Sequence, residues 1–237
     1  DLQLAVRIQK RLLPAHGVCC AGWVAHFHYQ PAGPVSGDFC DLAPDDSGRL
    51  FFAVGDVAGK GVAASLLMSH IHATFRTLLS VGAPIEEMLE RANHLFTNST
   101  MPAHYATLAC GFASPAGEVE ICNAGHCPPL VLRDGKIESI DATGLPLGLF
   151  HNGQYSAIRA RLNTGDGLLL YTDGLTEARN RAGDEYGVER LMATLPGCRG
   201  QSPERVSTAC LEDLAAFLGS AQTSDDLTMM VLRRAEA

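Results

Sequence analysis

Hydrophobic residues follow two different periods along the 237-residue chain, and together these periods predict a mixture of helices and strands. Apolar residues that recur every three or four positions predict helices at residues 1–13, 60–79, 85–98, 186–195 and 202–218. Short apolar or alternating runs predict strands at residues 22–30, 50–57, 105–113, 118–123, 130–133, 155–162, 168–171 and 227–232. Because a central pair and a late pair of helices interrupt the strands, the pattern favours one α+β domain over a parallel α/β unit.

The stretch at residues 51–61, with the sequence FFAVGDVAGKG, is the anchor of this interpretation. Its apolar run predicts a buried strand that delivers Asp56 into a glycine-rich turn, and the helix of residues 60–79 follows at once. A carboxylate at a strand end, on backbone with few side chains to crowd it, suits a metal ligand. The alternative is an Asp that caps the helix, and this stretch taken alone favours the cap.

Three further motifs repeat the arrangement of an Asp beside an apolar strand. The residues concerned are Asp38, Asp173, and Asp225 or its neighbour Asp226. A hairpin tip at residues 45–48 joins the strand after Asp38 to the strand of Asp56, which predicts that these two carboxylates lie on neighbouring strands.

Gathered carboxylates raise one another's pKa and cost stability unless a cation is bound. Oxygen ligands without a dedicated Cys or His favour hard ions, Mg²⁺ or Mn²⁺, over Zn²⁺. The motifs therefore predict a site for a hard divalent cation, and four independent caps or turn residues are the alternative.

Composition narrows the functional classes. The net charge of −8 and the lack of a long basic run argue against a nucleic-acid partner, and so against a two-metal nuclease. No apolar run is long enough to span a bilayer, so no membrane association is predicted. The eight cysteines are scattered without CxxC pairs, which is typical of free thiols in a reducing compartment and predicts a cytoplasmic location.

Histidines offer weaker candidates. His26 and His28 would share one face of a strand, but no second ligand cluster lies near them in sequence, so a polar strand face is favoured over a zinc site. His70 and His72 fit the surface of a helix. His126 lies in a loop stiffened by glycine and proline at residues 123–129.

The chain begins with Asp1 and a helical stretch that Pro14 ends, which predicts a fragment of a longer regulatory protein. We divide it into an N-terminal linker or switch helix at residues 1–14 and a domain at residues 15–237. A helix that only packs on the domain core is the alternative for residues 1–13.

Several segments carry a resemblance to a known family. In order, they are QKRLLP, VSGDFCD, VGDVAGKGVAASLLM, ATLACGF, NAGHCPPLVL, GLPLG, GDGLLLYTDGLTEARN, YGVERL and SDDLTMMVL. Each is weak alone, but together they run from about residue 8 to residue 233. The chain resembles the metal-dependent PPM-type (type 2C-like) protein serine/threonine phosphatases of the bacterial SpoIIE/RsbU branch.

The resemblance implies a four-layer αββα sandwich, in which two antiparallel β-sheets are flanked by helices. It also implies two Mn²⁺ or Mg²⁺ ions, with Asp56 bridging both and the carbonyl of Val57 as a further ligand. Asp38 would reach one ion partly through water, whereas Asp173 and Asp225 would hold the other. Asp226 would support these ligands from behind.

The function implied by this resemblance is hydrolysis of phosphoserine or phosphothreonine by metal-activated water, without a covalent phosphoenzyme. The implied partner is a phosphorylated STAS-type anti-sigma-factor antagonist, in sigma-factor regulation or two-component signalling. An upstream sensor or receiver domain would act through residues 1–13 and 60–79, and a homodimer is an open alternative. The competing hypothesis is a catalytically inactive adaptor that keeps the fold as a docking platform.

Two departures from the family pattern leave roles unassigned. Ala58 stands where many eukaryotic members have a His that donates a proton, so the leaving-group acid is unassigned. His126 is a candidate for it, although a structural loop histidine is the favoured interpretation. No Arg can be assigned to phosphate binding from the sequence.

Overall fold

Two antiparallel sheets lie face to face in the computed structural model, which describes residues 1–14, 18–101, 104–133, 135–198 and 200–235. In chain order the strands are β1 (Val18–Cys20), β2 (Trp23–Gln30), β3 (Phe39–Pro44), β4 (Leu50–Val57), β5 (Ala106–Ala113), β6 (Glu118–Ala124), β7 (Leu130–Arg133), β8 (Lys136–Ser139), β9 (Ile158–Arg161), β10 (Gly167–Tyr171) and β11 (Leu227–Arg234). One sheet has the order β1-β2-β11-β10-β7-β8, and the other has the order β3-β4-β5-β6-β9.

Helices cover the outer face of each sheet. They are α1 (Leu2–Leu12), α2 (Gly61–Val81), α3 (Ile85–Ser99), α4 (Asp173–Thr176), α5 (Val188–Thr194) and α6 (Pro203–Leu218). Residues of α2 and α3 pack on the five-stranded sheet, and residues of α5 and α6 pack on the six-stranded sheet. The predicted four-layer αββα sandwich of the α+β class is confirmed.

The continuous apolar run of β4 reflects burial on both faces. Successive side chains of a strand point to opposite faces, so Phe51 lies in the core under α2 while Phe52 lies in the core between the sheets. Both rings are fully buried. A strand covered on both sides has no solvent face to mark with polar residues, and this explains the uninterrupted sequence FFAV.

The structure contains the predicted helices and strands, although their first and last residues differ from the prediction. It also contains two short strands that were not predicted. β1 has only three residues, and β8 exposes most of its side chains, so neither carries the apolar alternation that a sequence pattern needs. The strand predicted at 155–162 shrinks to β9, and the turn predicted after β10 is the one-turn helix α4. As predicted, Pro203 stands at the start of α6.

The N-terminal helix α1 packs loosely on the rest of the chain. Leu2, Leu4 and Ile8 remain about half exposed, whereas Leu12 touches the core under α2. The predicted boundary after residue 14 coincides with the end of a described range, and residues 15–17 lie outside the described residues. The assignment of residues 1–14 as a linker therefore stays a prediction.

Two general expectations can be compared with the structure. All eight cysteines are free thiols, as predicted, and five of them are buried. Within the described ranges, no helix is both long enough and apolar enough to cross a membrane.

Gly111 on β5 gives a test of how tightly the five-stranded sheet packs. A Cβ atom there would lie 1.9 Å from the carbonyl oxygen of Glu120 and 2.8 Å from a ring carbon of Phe52. We expect Gly111→Ala to lower the free energy of unfolding by at least about 2 kcal/mol, because strand backbone cannot move aside cheaply. Urea unfolding monitored by circular dichroism measures the change.

The matched control is Gly197→Ala, because a Cβ atom at Gly197 meets nothing within 4 Å. It should change the free energy of unfolding by no more than about 0.5 kcal/mol. Equal unfolding midpoints for the two variants would contradict the packing described here.

Candidate functional site

Four strand ends meet at one edge of the sandwich, and each carries one of the predicted aspartates. Phe39 pairs with Gly55 in the β3–β4 hairpin, so Asp38 and Asp56 lie on neighbouring strands, as predicted. On the other sheet, β10 and β11 are antiparallel neighbours, so the end of β10 and the start of β11 coincide. Asp173 follows β10 and Asp225 precedes β11.

The electrostatics show that these carboxylates lie close enough to repel one another. The pKa of Asp56 is raised to about 7, first by burial and then by the charges of Asp173 and Asp225. The pKa of Asp173 is raised by burial and by Asp225. Like charges at this range favour protonation of one carboxyl unless a cation balances them.

Asp38 is held deep in the site rather than at its mouth. Only 2% of it is exposed, and burial is the main cause that raises its pKa. Its Oδ2 accepts a hydrogen bond of 3.0 Å from the hydroxyl of Thr172 and a second from the hydroxyl of Thr228. Two threonines on the six-stranded sheet thus fix a carboxylate that belongs to the five-stranded sheet.

Asp226 faces the segment that leads into Asp38. Its Oδ1 accepts a hydrogen bond from the N–H of Ala32 (2.7 Å), and its Oδ2 accepts one from the N–H of Gly37 (3.1 Å). Both oxygens are therefore engaged with backbone. This geometry fits the supporting role expected for Asp226.

Gly37 leaves space beside two of the predicted ligands. A Cβ atom at Gly37 would lie 2.9 Å from the carbonyl oxygen of Val57 and 3.2 Å from Oδ1 of Asp56. The N–H of Val57 donates to the carbonyl of Gly37 at 3.3 Å, which holds the two segments together. A side chain at residue 37 would push into the space around these oxygens.

Lys60 supplies positive charge at the edge of the cluster. Its Nζ lies 2.9 Å from Oδ2 of Asp225 and donates to the carbonyl of Ser224 at 3.2 Å. The hydrogen bond to Asp225 is the first cause that raises the pKa of Lys60. The amine is exposed, so it can leave Asp225 without breaking any core packing.

These donors fit a hard divalent cation. Among the described residues, no three His, Cys, Asp or Glu side chains already close around one point as a complete metal cage. Mg²⁺ does not need such a cage, because it keeps several waters and binds through one or two carboxylates. The oxygen-only donor set, the mutually raised pKa values and the space left by Gly37 all suit such an ion.

A cavity of about 140 Å³ opens beside Asp173 and Asp225. Glu177 and Arg179 also line it, but the guanidinium of Arg179 already pairs with Glu185. Lys60 also lies beside the carboxylates, and its exposed amine is a second candidate for contact with a phosphate.

Among the described residues, no histidine forms a metal-binding group with these carboxylates. His126 is 6% exposed, and burial lowers its pKa to about 4, so its ring is neutral at pH 7. Asn123 accepts a hydrogen bond from the N–H of His126 at 2.7 Å and donates one to its carbonyl at 3.1 Å. His126 therefore fits the structural interpretation, and the leaving-group acid is still unassigned.

Asp41, on β3, forms an ion pair with Arg76 on α2 at 2.5 Å, so its charge is balanced within the fold. His26 and His28 lie on the less buried face of β2, and the described residues place no third metal-binding side chain beside them. The polar-face interpretation of this histidine pair is favoured.

Sequence reasoning missed the residues that support the aspartates. Thr172, Thr228 and Lys60 all lie within the family-like segments quoted above, each within three or four residues of a predicted ligand. Their neighbouring residues in the sequence do not indicate that they support the aspartates, because each contacts a residue far away in the chain.

Comparison with known proteins agrees with this geometry. The family model for Stage II sporulation protein E (SpoIIE) matches residues 46–235, a range that leaves out Asp38. Protein IcfG of Synechocystis sp. (strain ATCC 27184 / PCC 6803 / Kazusa) is 27% identical, over 99% of this chain and 41% of IcfG. Phosphoserine phosphatase RsbU of Bacillus subtilis (strain 168) is 26% identical, over 99% of this chain and 70% of RsbU.

A solved structure shows the same fold. The SiaA-PP2C domain of Pseudomonas aeruginosa superposes with a TM-score of 0.84, at 22% identity, over 98% of this chain and 95% of that domain. The family match itself runs from the β3–β4 hairpin to the end of β11. On these grounds the chain belongs to the Stage II sporulation protein E (SpoIIE) family, in the SpoIIE/RsbU branch of the PPM-type phosphatases.

Proposed function

We propose that this chain is a metal-dependent protein phosphatase that hydrolyses phosphoserine or phosphothreonine on a partner protein. The observation that carries the proposal is the convergence of Asp56, Asp173 and Asp225, in which burial and then the neighbouring charges raise the pKa values of Asp56 and Asp173. A folded chain gains no stability from such crowding, so the carboxylates need a function that uses their charge. Membership in the SpoIIE family supports the same activity.

The ligand roles proposed from the sequence suit these positions. Asp56 would contact both of two Mn²⁺ or Mg²⁺ ions, and the carbonyl of Val57 would be a further ligand. Asp173 and Asp225 would hold one of the two ions. Asp38, fixed by its two threonines, would reach the other through water. Bound ions of this kind lower the pKa of a water molecule and neutralise phosphoryl oxygens.

The chain's own residues then position the substrate. The cavity of about 140 Å³ beside Asp173 and Asp225 would receive the phosphorylated side chain of the partner. Lys60, which pairs with Asp225 in the metal-free chain, would lose this partner if Asp225 held a cation. Its ammonium group would then be available to contact an anionic phosphoryl group.

The names of the relatives support a phosphoprotein as the partner. B. subtilis RsbU carries the name phosphoserine phosphatase, and the alignment with it covers 99% of this chain. We propose a phosphorylated STAS-type anti-sigma-factor antagonist as the partner. The chain spans 41% of IcfG and 70% of RsbU, which leaves room in such proteins for the upstream sensor or receiver domain that we propose.

Replacing the bridging carboxylate tests the activity. We expect Asp56→Asn to lower Mn²⁺-dependent turnover of a phosphoserine peptide and of p-nitrophenyl phosphate by at least about 100-fold, since a neutral amide binds a hard cation poorly. Chelation of metal from the wild-type protein should have the same effect. Far-ultraviolet circular dichroism should show an intact fold.

The matched control is Asp46→Asn, on the exposed hairpin tip of the same sheet. This variant should keep wild-type turnover. Undiminished turnover in Asp56→Asn would refute the role of Asp56, and a wild-type protein that is inactive with Mn²⁺ would favour the docking-platform hypothesis.

The raised pKa of Asp56 predicts how metal-free stability depends on pH. Because the folded-state pKa of about 7 exceeds the ordinary Asp pKa of 3.8, folding favours the protonated carboxyl of Asp56. The stabilisation is thus present below pH 4 and is lost as pH rises through 7. In metal-free protein at pH 8, Asp56→Asn should raise the melting temperature by about 2–4 °C, equivalent to about 1 kcal/mol.

At pH 5 this difference in melting temperature should shrink, because the wild-type carboxyl is then largely protonated. Excess Mn²⁺ at pH 8 should reverse its sign, since only the wild type gains full binding energy. Differential scanning calorimetry measures all three conditions. A lower melting temperature for the metal-free variant at pH 8 would show that Asp56 is not in a crowded anionic site.

A further inference from the structure

A groove lies beside the candidate metal centre, between α5 and the loop of residues 125–129. We infer that this groove docks residues next to the phosphorylated side chain of the partner, and that it selects an aliphatic residue beside a Lys or Arg. This inference rests on the proposed function, because it describes the substrate of the same site. None of the residues that line the groove is among the predicted metal ligands.

The groove occupies the same edge of the sandwich as the carboxylates. Its volume is about 400 Å³. The loop contributes Cys127 to its lining, and α5 contributes Val188 and Met192. Tyr171, the last residue of β10, also lines it. Since β10 leads directly to Asp173, the groove opens at a strand end that carries a predicted ligand.

Glu177 connects the groove to the cavity proposed for the phosphorylated side chain. This residue lines both the groove and the cavity beside Asp173 and Asp225. Glu177 follows Asp173 by one helical turn, which is about 5–6 Å along the axis. An extended peptide gains about 3.3 Å with each residue, so the groove is within reach of residues about two to four positions from the phosphorylated one.

The electrostatics agree with this continuity. The pKa of the Cys127 thiol is raised to about 12, first by burial and then by the charges of Asp173 and Glu177. The pKa of Glu177 is raised by burial and then by the charge of Asp173. Groove residues on the loop and beside α4 thus lie within electrostatic range of the same predicted metal ligand.

The floor of the groove is apolar. Cys127, Val188 and Met192 are half-buried and pack against the core of the six-stranded sheet. An aliphatic side chain docked there would remove apolar surface from water on both molecules, which favours binding. Methionine adapts its shape to its neighbours, so Met192 allows Leu, Ile, Val or Met of the partner to fit.

The rim of the groove is acidic. Glu177, Glu185 and Glu189 line it, and all three are exposed. Arg179 pairs with Glu185, but within the described ranges the carboxylates of Glu177 and Glu189 have no ion-pair partner. The rim therefore keeps negative charge that the chain itself does not balance.

No Lys or Arg occurs among the described residues that line the groove. Arg190, the sequence neighbour of Glu189, pairs instead with Asp213 of α6 at 2.7 Å. The positive charge that complements the rim thus comes from another molecule, and a Lys or Arg near the aliphatic residue of the partner supplies it. The same rim repels a partner whose phosphorylated residue has acidic neighbours.

The test compares phosphoserine peptides that differ only in the residues beside the phosphoserine, with Mn²⁺ present. The first peptide has Leu and Arg at the second and third positions on both sides. Glu replaces each Arg in the second peptide, and Ser replaces each Leu in the third. We expect the wild-type kcat/KM for the first peptide to exceed that for either other peptide by at least about tenfold. The difference should lie mainly in KM, because contacts with the flanking residues do not change during the reaction.

Glu189→Lys is the groove variant, and Glu90→Lys is its matched control. Glu90 is an exposed residue of α3, which packs on the five-stranded sheet, and both variants change the net charge equally. Glu189→Lys should reduce the preference for the Arg peptide over the Glu peptide to about twofold or less, because repulsion replaces attraction at the rim. Glu90→Lys should keep the wild-type preference. Turnover of p-nitrophenyl phosphate, which has no flanking residues, should be equal in the wild type and both variants.

Equal kcat/KM values for the Arg and Glu peptides in the wild type would overturn the inference. Equal effects of the two variants would overturn it as well, because they would show an effect of net charge instead of contact in the groove. Sedimentation velocity tests a different occupant. A wild-type dimer that Glu189→Lys converts to a monomer would assign the groove to a second copy of this chain and remove it from substrate docking.

A wild-type protein that turns over neither p-nitrophenyl phosphate nor any of the peptides would sink the proposed function, and this inference with it. A wild type that hydrolyses p-nitrophenyl phosphate but does not discriminate among the peptides would sink this inference alone. Turnover of p-nitrophenyl phosphate thus distinguishes the two failures.

Discussion

Repulsion among carboxylates at one edge of the sandwich is the constraint on which the rest of this structure depends. Asp38, Asp56, Asp173 and Asp225 come from four separate strand ends, and burial and mutual charge raise the pKa values of the first three. Without a bound cation, the repulsion within such a cluster of carboxylates lowers the stability of the fold. The hydrogen bonds and ion pairs around these carboxylates hold the negative charges in place until a cation balances them.

Each carboxylate is stabilised by different neighbouring groups. Hydroxyl groups of Thr172 and Thr228 donate to Asp38, which lies too deep for water to solvate it. Backbone N–H groups occupy both oxygens of Asp226, and Lys60 offsets the charge of Asp225. These contacts between the carboxylates and their partners can form because the two sheets bring the β3–β4 and β10–β11 pairs to the same edge of the sandwich.

The sequence allowed much of this to be predicted. Apolar runs located most strands, and the hairpin tip at residues 45–48 placed Asp38 beside Asp56. The resemblance supplied the four layers and the convergence of the two strand pairs. A periodic pattern carries this information because it reflects which face of each element is buried.

What escaped prediction depends on contacts between distant segments. Thr172 meets Asp38 across 134 residues of sequence, Thr228 meets it across 190, and Gln9 meets Ser36 across 27. A threonine or glutamine has no period that marks such a contact, and only the folded chain shows it. The short strands β1 and β8 escaped for a simpler reason, since neither carries an alternating apolar face.

Crystals of the wild-type protein grown with Mn²⁺, with diffraction measured at the manganese absorption edge, would test the central claim most directly. The account predicts anomalous peaks within coordination distance of the carboxylates of Asp56, Asp173 and Asp225 and of the carbonyl oxygen of Val57, with Lys60 moved away from Asp225. Manganese bound at other residues, with Lys60 still paired to Asp225 and the carboxylates without a metal, would contradict it.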